Sequence, residues 1–168
     1  MFKKFNLKKI AKEIAIMGIT LFIVMNIISY LRSPKLSDTS LPNITSTLID
    51  NTHYSSLNQS KKPLLIHFWA TWCPTCKLEA GNIQKISEDF NVLTVAVKSG
   101  SDTEIRDYIK ENNFDFKVIN DSQGILSSQF SVPAFPTTFI YNSQGKLEFT
   151  EVGYTSILGL YARMLWVQ

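Results

Sequence analysis

The two cysteines of this 168-residue chain stand three residues apart, in Trp72-Cys73-Pro74-Thr75-Cys76. A dithiol at that spacing can carry electrons in pairs, opening and closing one S–S bond. An apolar run, Leu64–Trp69, precedes the pair, and a helical pattern follows it, which places the cysteines where a strand ends and a helix begins. Free N–H groups and the positive dipole end of such a helix stabilise a thiolate, lowering the Cys73 pKa from about 8.5. Cys76, one turn further in, is close enough to attack a mixed disulfide held on Cys73. Pro74 suits a first helical turn, where its missing N–H costs nothing. On this reading Cys73 is the nucleophile and Cys76 the resolving thiol.

Other chemistries fit the same spacing. A structural disulfide suits a domain outside the cytoplasm, although so small a loop gives little closure entropy. Half of a zinc site would need further ligands, but there is no second pair of cysteines and the histidines are His53 and His67. Two thiolates also suit Cu(I), so a copper-handling module is the rival from another function class.

The elements around the pair are read from periodicity. Leu64–Trp69 and Val92–Val97 are short, β-rich apolar runs, the signature of strands buried on both faces. Between them, Cys76–Phe90 carries Ala80, Ile83, Ile86 and Phe90 at helical spacing. Ser101 or Asp102 can cap a helix running to Asn112, followed by a strand over Phe116–Ile119 and a short helix over Ile125–Phe130. Thr137–Tyr141 and Leu147–Val152 flank a Gly-containing loop of hairpin length, and Ser156 can cap a final helix. Thr45–Ile49 is a weaker candidate for a first strand. This order predicts an α/β domain whose mixed central β-sheet is flanked by helices on both faces.

Charge is distributed unevenly. Residues 1–32 carry +5 of the chain's +3, which leaves −2 for residues 33–168, so the main domain has no basic face for nucleic acid. Ile14–Leu31 is an uncharged run long enough to cross about 30 Å of hydrocarbon. Five lysines precede it, which puts the N-terminus in the cytoplasm and the remainder outside. The run ends in Ser29-Tyr30-Leu31-Arg32-Ser33, a poor cleavage site for a signal peptide, the competing reading. The expected organisation is a basic N-terminus (1–13), a transmembrane signal anchor (14–31), a polar, proline-punctuated linker (32–42) and one domain (43–168).

Phe68-Trp69-Ala70-Thr71-Trp72-Cys73-Pro74-Thr75-Cys76 resembles the active-site signature of the thioredoxin superfamily, in its TlpA-like group. Val132-Pro133-Ala134-Phe135-Pro136-Thr137-Thr138-Phe139 resembles the segment in which that family carries a cis-proline facing the cysteines. Asn120-Asp121-Ser122-Gln123-Gly124 and Gly153-Tyr154-Thr155-Ser156 extend the likeness from about Leu64 to the C-terminus, closest to the ScsD-like branch of membrane-bound protein disulfide oxidoreductases.

The resemblance implies a thioredoxin fold behind one N-terminal transmembrane helix in a bacterial inner membrane, with the catalytic domain in the periplasm. It implies protein thiol or disulfide substrates, a membrane thiol donor, and no cofactor or metal beyond the Cys73–Cys76 couple. Reduction is the favoured direction, and a disulfide-introducing oxidase is the alternative. Pro136 would be the cis-proline, with Phe135 and Thr137 beside it meeting the substrate strand. Trp72, Pro74 and Thr75 would line the site. His67 stands where thioredoxin has a buried Asp and would relay a proton near Cys76. Glu79, one turn after Cys76, would lie at the site's mouth, unless it is a plain surface carboxylate. Ala134 departs from the family's usual glycine.

Overall fold

The structure is a computed structural model that describes residues 12–20, 23, 24, 27, 34, 39–58 and 62–168. Five strands form one mixed sheet in the order β5-β4-β3-β6-β7. They are β3 (Leu64–Trp69), β4 (Asn91–Val97), β5 (Lys117–Asp121), β6 (Thr137–Tyr141) and β7 (Leu147–Val152). β3, β4 and β5 run parallel, whereas β6 and β7 are antiparallel to their neighbours. The helices are α1 (Pro74–Asp89), α2 (Asp102–Glu111), the short α3 (Ile125–Gln129) and α4 (Ile157–Trp166).

The two parallel crossovers step in the same direction across the sheet. A right-handed connection therefore puts α1 and α2 on the same face. Ile83 and Ile86 of α1, Ile105 and Ile109 of α2, and Leu160 and Met164 of α4 pack there against Leu65, Val92, Val118 and Ile140. On the opposite face, Leu64, Ile66, Phe68, Leu93, Val95 and Phe139 pack beneath Phe130 and Leu126 of the α3 region. That face is completed by Ile44, Leu48 and Tyr54 of a hairpin, β1 (Thr45–Thr47) with β2 (His53–Ser55). Helices do cover both faces, but unequally.

Some boundaries differ from the sequence reading for identifiable reasons. α1 begins at Pro74 rather than Cys76, because Cys73 is itself the N-cap and the Cys-Pro-Thr-Cys segment forms the first turn. β5 extends to Asp121, whose carboxylate accepts the N–H groups of Leu126 and Ser127 at 3.1 and 2.8 Å and so starts α3. The first strand stops at Thr47, because Leu48–Thr52 turns back on a Leu48 N–H to Thr52 carbonyl bond, with Asn51 at φ 68°. α2 is held by a reciprocal capping box between Ser101 and Glu104.

Residues 12–20 are helical, and Ile14, Ile16, Met17 and Ile19 are exposed on them. The rest of the expected anchor, apart from residues 23, 24 and 27, lies outside the described residues. Among the described residues, no helix is long and apolar enough to cross a membrane. Residues 39–41 join the domain at the β6–β7 loop: Leu41 N–H donates to the Gly145 carbonyl and Leu147 N–H to the Thr39 carbonyl, both at 2.7 Å.

Candidate active site

Parallel strands end their chemistry at one edge, because the loops leaving their C-termini converge there. β3 delivers Cys73 to that edge, and the helix that follows supplies its electrostatics. Cys73 caps α1, and its Sγ accepts the Cys76 N–H at 3.1 Å. Cys73 and Cys76 are joined in a disulfide, with their Cα atoms 5.3 Å apart. Both are buried, at 5% and 2% exposure, yet Pro74 beside them is exposed and Thr75 half-buried, so the sulfurs sit just beneath the surface. Once the bond opens, the Cys76 N–H and the dipole end of α1 are already in place to stabilise a Cys73 thiolate.

A second chain segment faces them. The Phe135–Pro136 bond is cis, and the Phe135 carbonyl oxygen lies 3.7 Å from Cys73 Sγ. Thr137 is buried and donates its hydroxyl to the Ala134 carbonyl at 2.8 Å, while Gly153 N–H holds the Pro136 carbonyl at 2.8 Å. Both bonds fix the segment and leave the Phe135 carbonyl pointed at the sulfur. Trp72 is 58% exposed and packs edge-on against the Phe135 ring at 5.7 Å. Its indole N–H donates to the Lys98 carbonyl at 3.1 Å. Lys98 adopts φ 46° after β4, and Ser99 Oγ accepts the Thr71 N–H. The Lys98-Ser99 loop thus braces the segment before Cys73. No sequence motif marks it, and the one signal that could have found it is its place at the end of a parallel strand. Trp69, by contrast, is core: it packs tilted against Tyr108 at 5.5 Å and edge-on against Phe116 at 6.1 Å.

Two ionisable side chains are buried on the α1 face. Glu79 is fully buried, so it is not a plain surface carboxylate. Its Oε1 accepts the Thr155 N–H at 3.2 Å, and its Oε2 has no hydrogen-bond partner among the described residues. Burial pushes its pKa up to about 8; the Thr155 N–H opposes this and the Glu151 carboxylate adds to it. Glu151 is itself paired with Arg163 at 2.7 Å.

His67 is 2% exposed, with Nδ1 2.9 Å from Thr138 Oγ1, and burial lowers its pKa to about 3. Its imidazole is therefore neutral at any ordinary pH. A proton relay through an imidazolium, one form of the role expected for it, is costly there. The sheet register sets Thr94, His67, Thr138 and Glu151 side by side, a polar row across four strands. Among the described residues, no group of three or more His, Cys, Asp or Glu side chains could hold a metal ion.

Comparison with known proteins agrees with this arrangement. A protein-family model described as Redoxin matches residues 36–158. A thioredoxin-like protein of Haemophilus influenzae is 28% identical over 166 residues, covering 97% of this chain and 98% of its own length. Sporulation thiol-disulfide oxidoreductase A of Bacillus subtilis is 31% identical over 112 residues, 62% of this chain and 67% of that protein. A thiol:disulfide interchange protein of the thioredoxin family from Chlorobium tepidum superposes with a TM-score of 0.69 at 19% identity, over 80% of this chain and 99% of the other.

Proposed function

Since this chain belongs to the Redoxin family, we propose that it is a protein thiol–disulfide oxidoreductase of the thioredoxin superfamily, working outside the cytoplasm as a reductase. The observation that carries the reading is the Cys73–Cys76 disulfide, capped by the Cys76 N–H and faced by the Phe135 carbonyl. A purely structural crosslink has no use for a sulfur that is both capped for ionisation and opposed by an open backbone acceptor.

In the reduced enzyme, the Cys73 thiolate attacks one sulfur of a substrate disulfide. That S–S bond breaks, a mixed disulfide forms on Cys73, and the other substrate sulfur leaves as a thiolate. Cys76 then loses its proton and attacks Cys73 Sγ, so the mixed disulfide opens and the second substrate sulfur is released. Two electrons have passed to the substrate, and the enzyme is left in the disulfide form seen here. The substrate backbone lies along Phe135–Thr137, with Trp72 at its edge. Glu79, one turn from Cys76, takes the Cys76 proton in its carboxylate form; burial raises its pKa to about 8, so it returns the proton readily once the thiol has ionised and attacked. A membrane thiol donor restores the dithiol. Residues 14–31 hold the chain in the inner membrane, in line with the exposed isoleucines on residues 12–20 and the five lysines before the apolar run.

The full chain, equilibrated in graded thiol–disulfide buffers, tests the direction. A two-electron couple near about −270 mV supports a reductase, and one near about −120 mV makes it a disulfide-introducing oxidase. Cys73→Ser abolishes disulfide reduction, whereas Cys76→Ser accumulates mixed disulfides with substrate proteins. Normal turnover by Cys73→Ser would sink the assignment.

A further inference from the structure

α4 is apolar nearly all the way round. Leu160 and Met164 on its inner side are fully buried against the sheet. Its outer side carries Leu158, Ala162, Leu165 and Trp166, which fall at helical spacing, with Leu158, Leu165 and Trp166 exposed at 78, 59 and 80%. The lone charge of the helix, Arg163, is engaged with Glu151 at 2.7 Å. A helix without a polar face is normally covered on all sides.

Where the chain enters the domain says what covers it. Residues 39–41 are bonded to the β6–β7 loop, and Ser143 of that loop lines the same cavity as Gln168, two residues beyond the end of α4. The C-terminal end of α4 and the attachment of the linker are therefore at the same end of the domain. Residues 32–39 span at most about 29 Å when fully extended, less than the roughly 36 Å breadth of a domain this size. A domain leashed so closely to residues 14–31 stays within touching distance of the bilayer. Leu and Trp on one helix face are the side chains that suit the boundary between headgroups and acyl chains.

We propose that the outer face of α4 (Leu158, Leu165 and Trp166) rests in the interfacial layer of the membrane, Trp166 deepest, and so fixes how the Cys73–Cys76 edge is presented. This rests on residues 14–31 being the membrane anchor. The same end carries Lys62 and Lys117 alongside Glu88, Asp89 and Asp115, so the contact is apolar and needs no anionic lipid.

The test uses the full chain in phosphatidylcholine vesicles whose acyl chains are brominated near the headgroup, with tryptophan emission as the readout. Trp166 is one of three tryptophans, and bromination lowers wild-type emission by about a third while leaving Trp166→Phe unchanged. Leu158→Lys/Leu165→Lys, with Trp166 intact, loses that quenching and keeps its disulfide reductase activity. Quenching that persists in Trp166→Phe comes from another tryptophan and overturns the proposal. If an alkaline carbonate wash leaves the chain in the vesicles but Trp166 is not quenched, the anchor stands and the α4 contact falls. Crosslinking into dimers through Cys introduced at Leu165, again without quenching, would assign the face to a second copy instead. Release of the chain by the wash removes the anchor itself, and this inference with it.

Discussion

The two faces of the central sheet are built on different principles. The face beneath α3 and the β1–β2 hairpin is aliphatic and aromatic, centred on Phe68, Phe130 and Phe139, whose ring centroids are 5.0 to 5.7 Å apart. The face beneath α1 and α4 is just as buried, but it also holds the disulfide, the polar row through His67, and Glu79 with one oxygen unpartnered among the described residues. Dispersion and burial on the first face supply stability with little polar cost beyond the buried Tyr54 hydroxyl. The second accepts buried polar groups that cost free energy unless they are satisfied, and the disulfide, His67 and Glu79 lie there. A substitution on the apolar face should therefore change stability alone, and one on the α1 face should change pH dependence as well.

Phe139→Ala gives the largest expected effect. Phe139 is fully buried on β6, two residues from Thr137 of the active-site segment, but its side chain points away from the disulfide. Truncation should lower unfolding free energy by about 3–5 kcal/mol, measured by urea titration. The reduction potential should stay where it was. A potential that moved along with stability would show that the two faces are not independent.

The next effect comes from the two buried ionisable groups, which set opposite limits on stability. Glu79 has its folded pKa raised from 4.5 to about 8, so the folded state holds a proton that the unfolded chain gives up between those values. Stability falls as pH rises through that window. His67 has its folded pKa lowered from 6.5 to about 3, so below pH 6.5 the unfolded chain binds a proton that the folded state refuses. Stability falls as pH drops through that window. Between 4.5 and 6.5 the two slopes cancel. The net result is a plateau with an alkaline limb from Glu79 and an acid limb from His67, each up to about 1.4 kcal/mol per pH unit. Glu79→Gln should flatten the alkaline limb, its stability relative to the wild type rising by up to about 5 kcal/mol between pH 4.5 and 8, and the His67 slope, no longer cancelled, should then extend the acid limb up to pH 6.5. An unchanged alkaline limb would mean that Glu79 is not held protonated.

How much of this was legible in the sequence differs by face as well. Alternation and apolar runs located all five strands of the main sheet, and the Trp-Cys-Pro-Thr-Cys segment located the site, because both signals are local. Pro136 and Phe135 opposite Cys73 came from the family resemblance rather than from periodicity. The helical period puts Glu79 on the buried stripe with Cys76, Ile83 and Ile86, and its burial was passed over because a carboxylate there argues against the core. What covers Glu79 is the Thr155 loop, 76 residues away. The carbonyl of Lys98 that holds Trp72, and the carboxylate of Asp121 that starts α3, are likewise long-range or backbone contacts with no composition signature. The β1–β2 hairpin was only half seen, since strands of three residues carry too short an alternation to stand out.

The smallest effect sharpens the contrast most. Thr138→Val keeps the shape of a side chain in the middle of the polar row but removes the hydroxyl 2.9 Å from His67 Nδ1. Losing one neutral hydrogen bond should cost about 1 kcal/mol, with a further penalty for the unpaired ring nitrogen. The acid limb should keep its midpoint, because burial, rather than the threonine, depresses the His67 pKa. Thermal unfolding followed at pH 7 and again at pH 4 separates the two: an equal loss at both pH values assigns the limb to burial. A loss confined to one pH would make the hydroxyl the controlling partner. The α1 face would then owe its pH response to a hydrogen-bond network running along the sheet, with Glu151 at its far end, rather than to solitary groups kept from water.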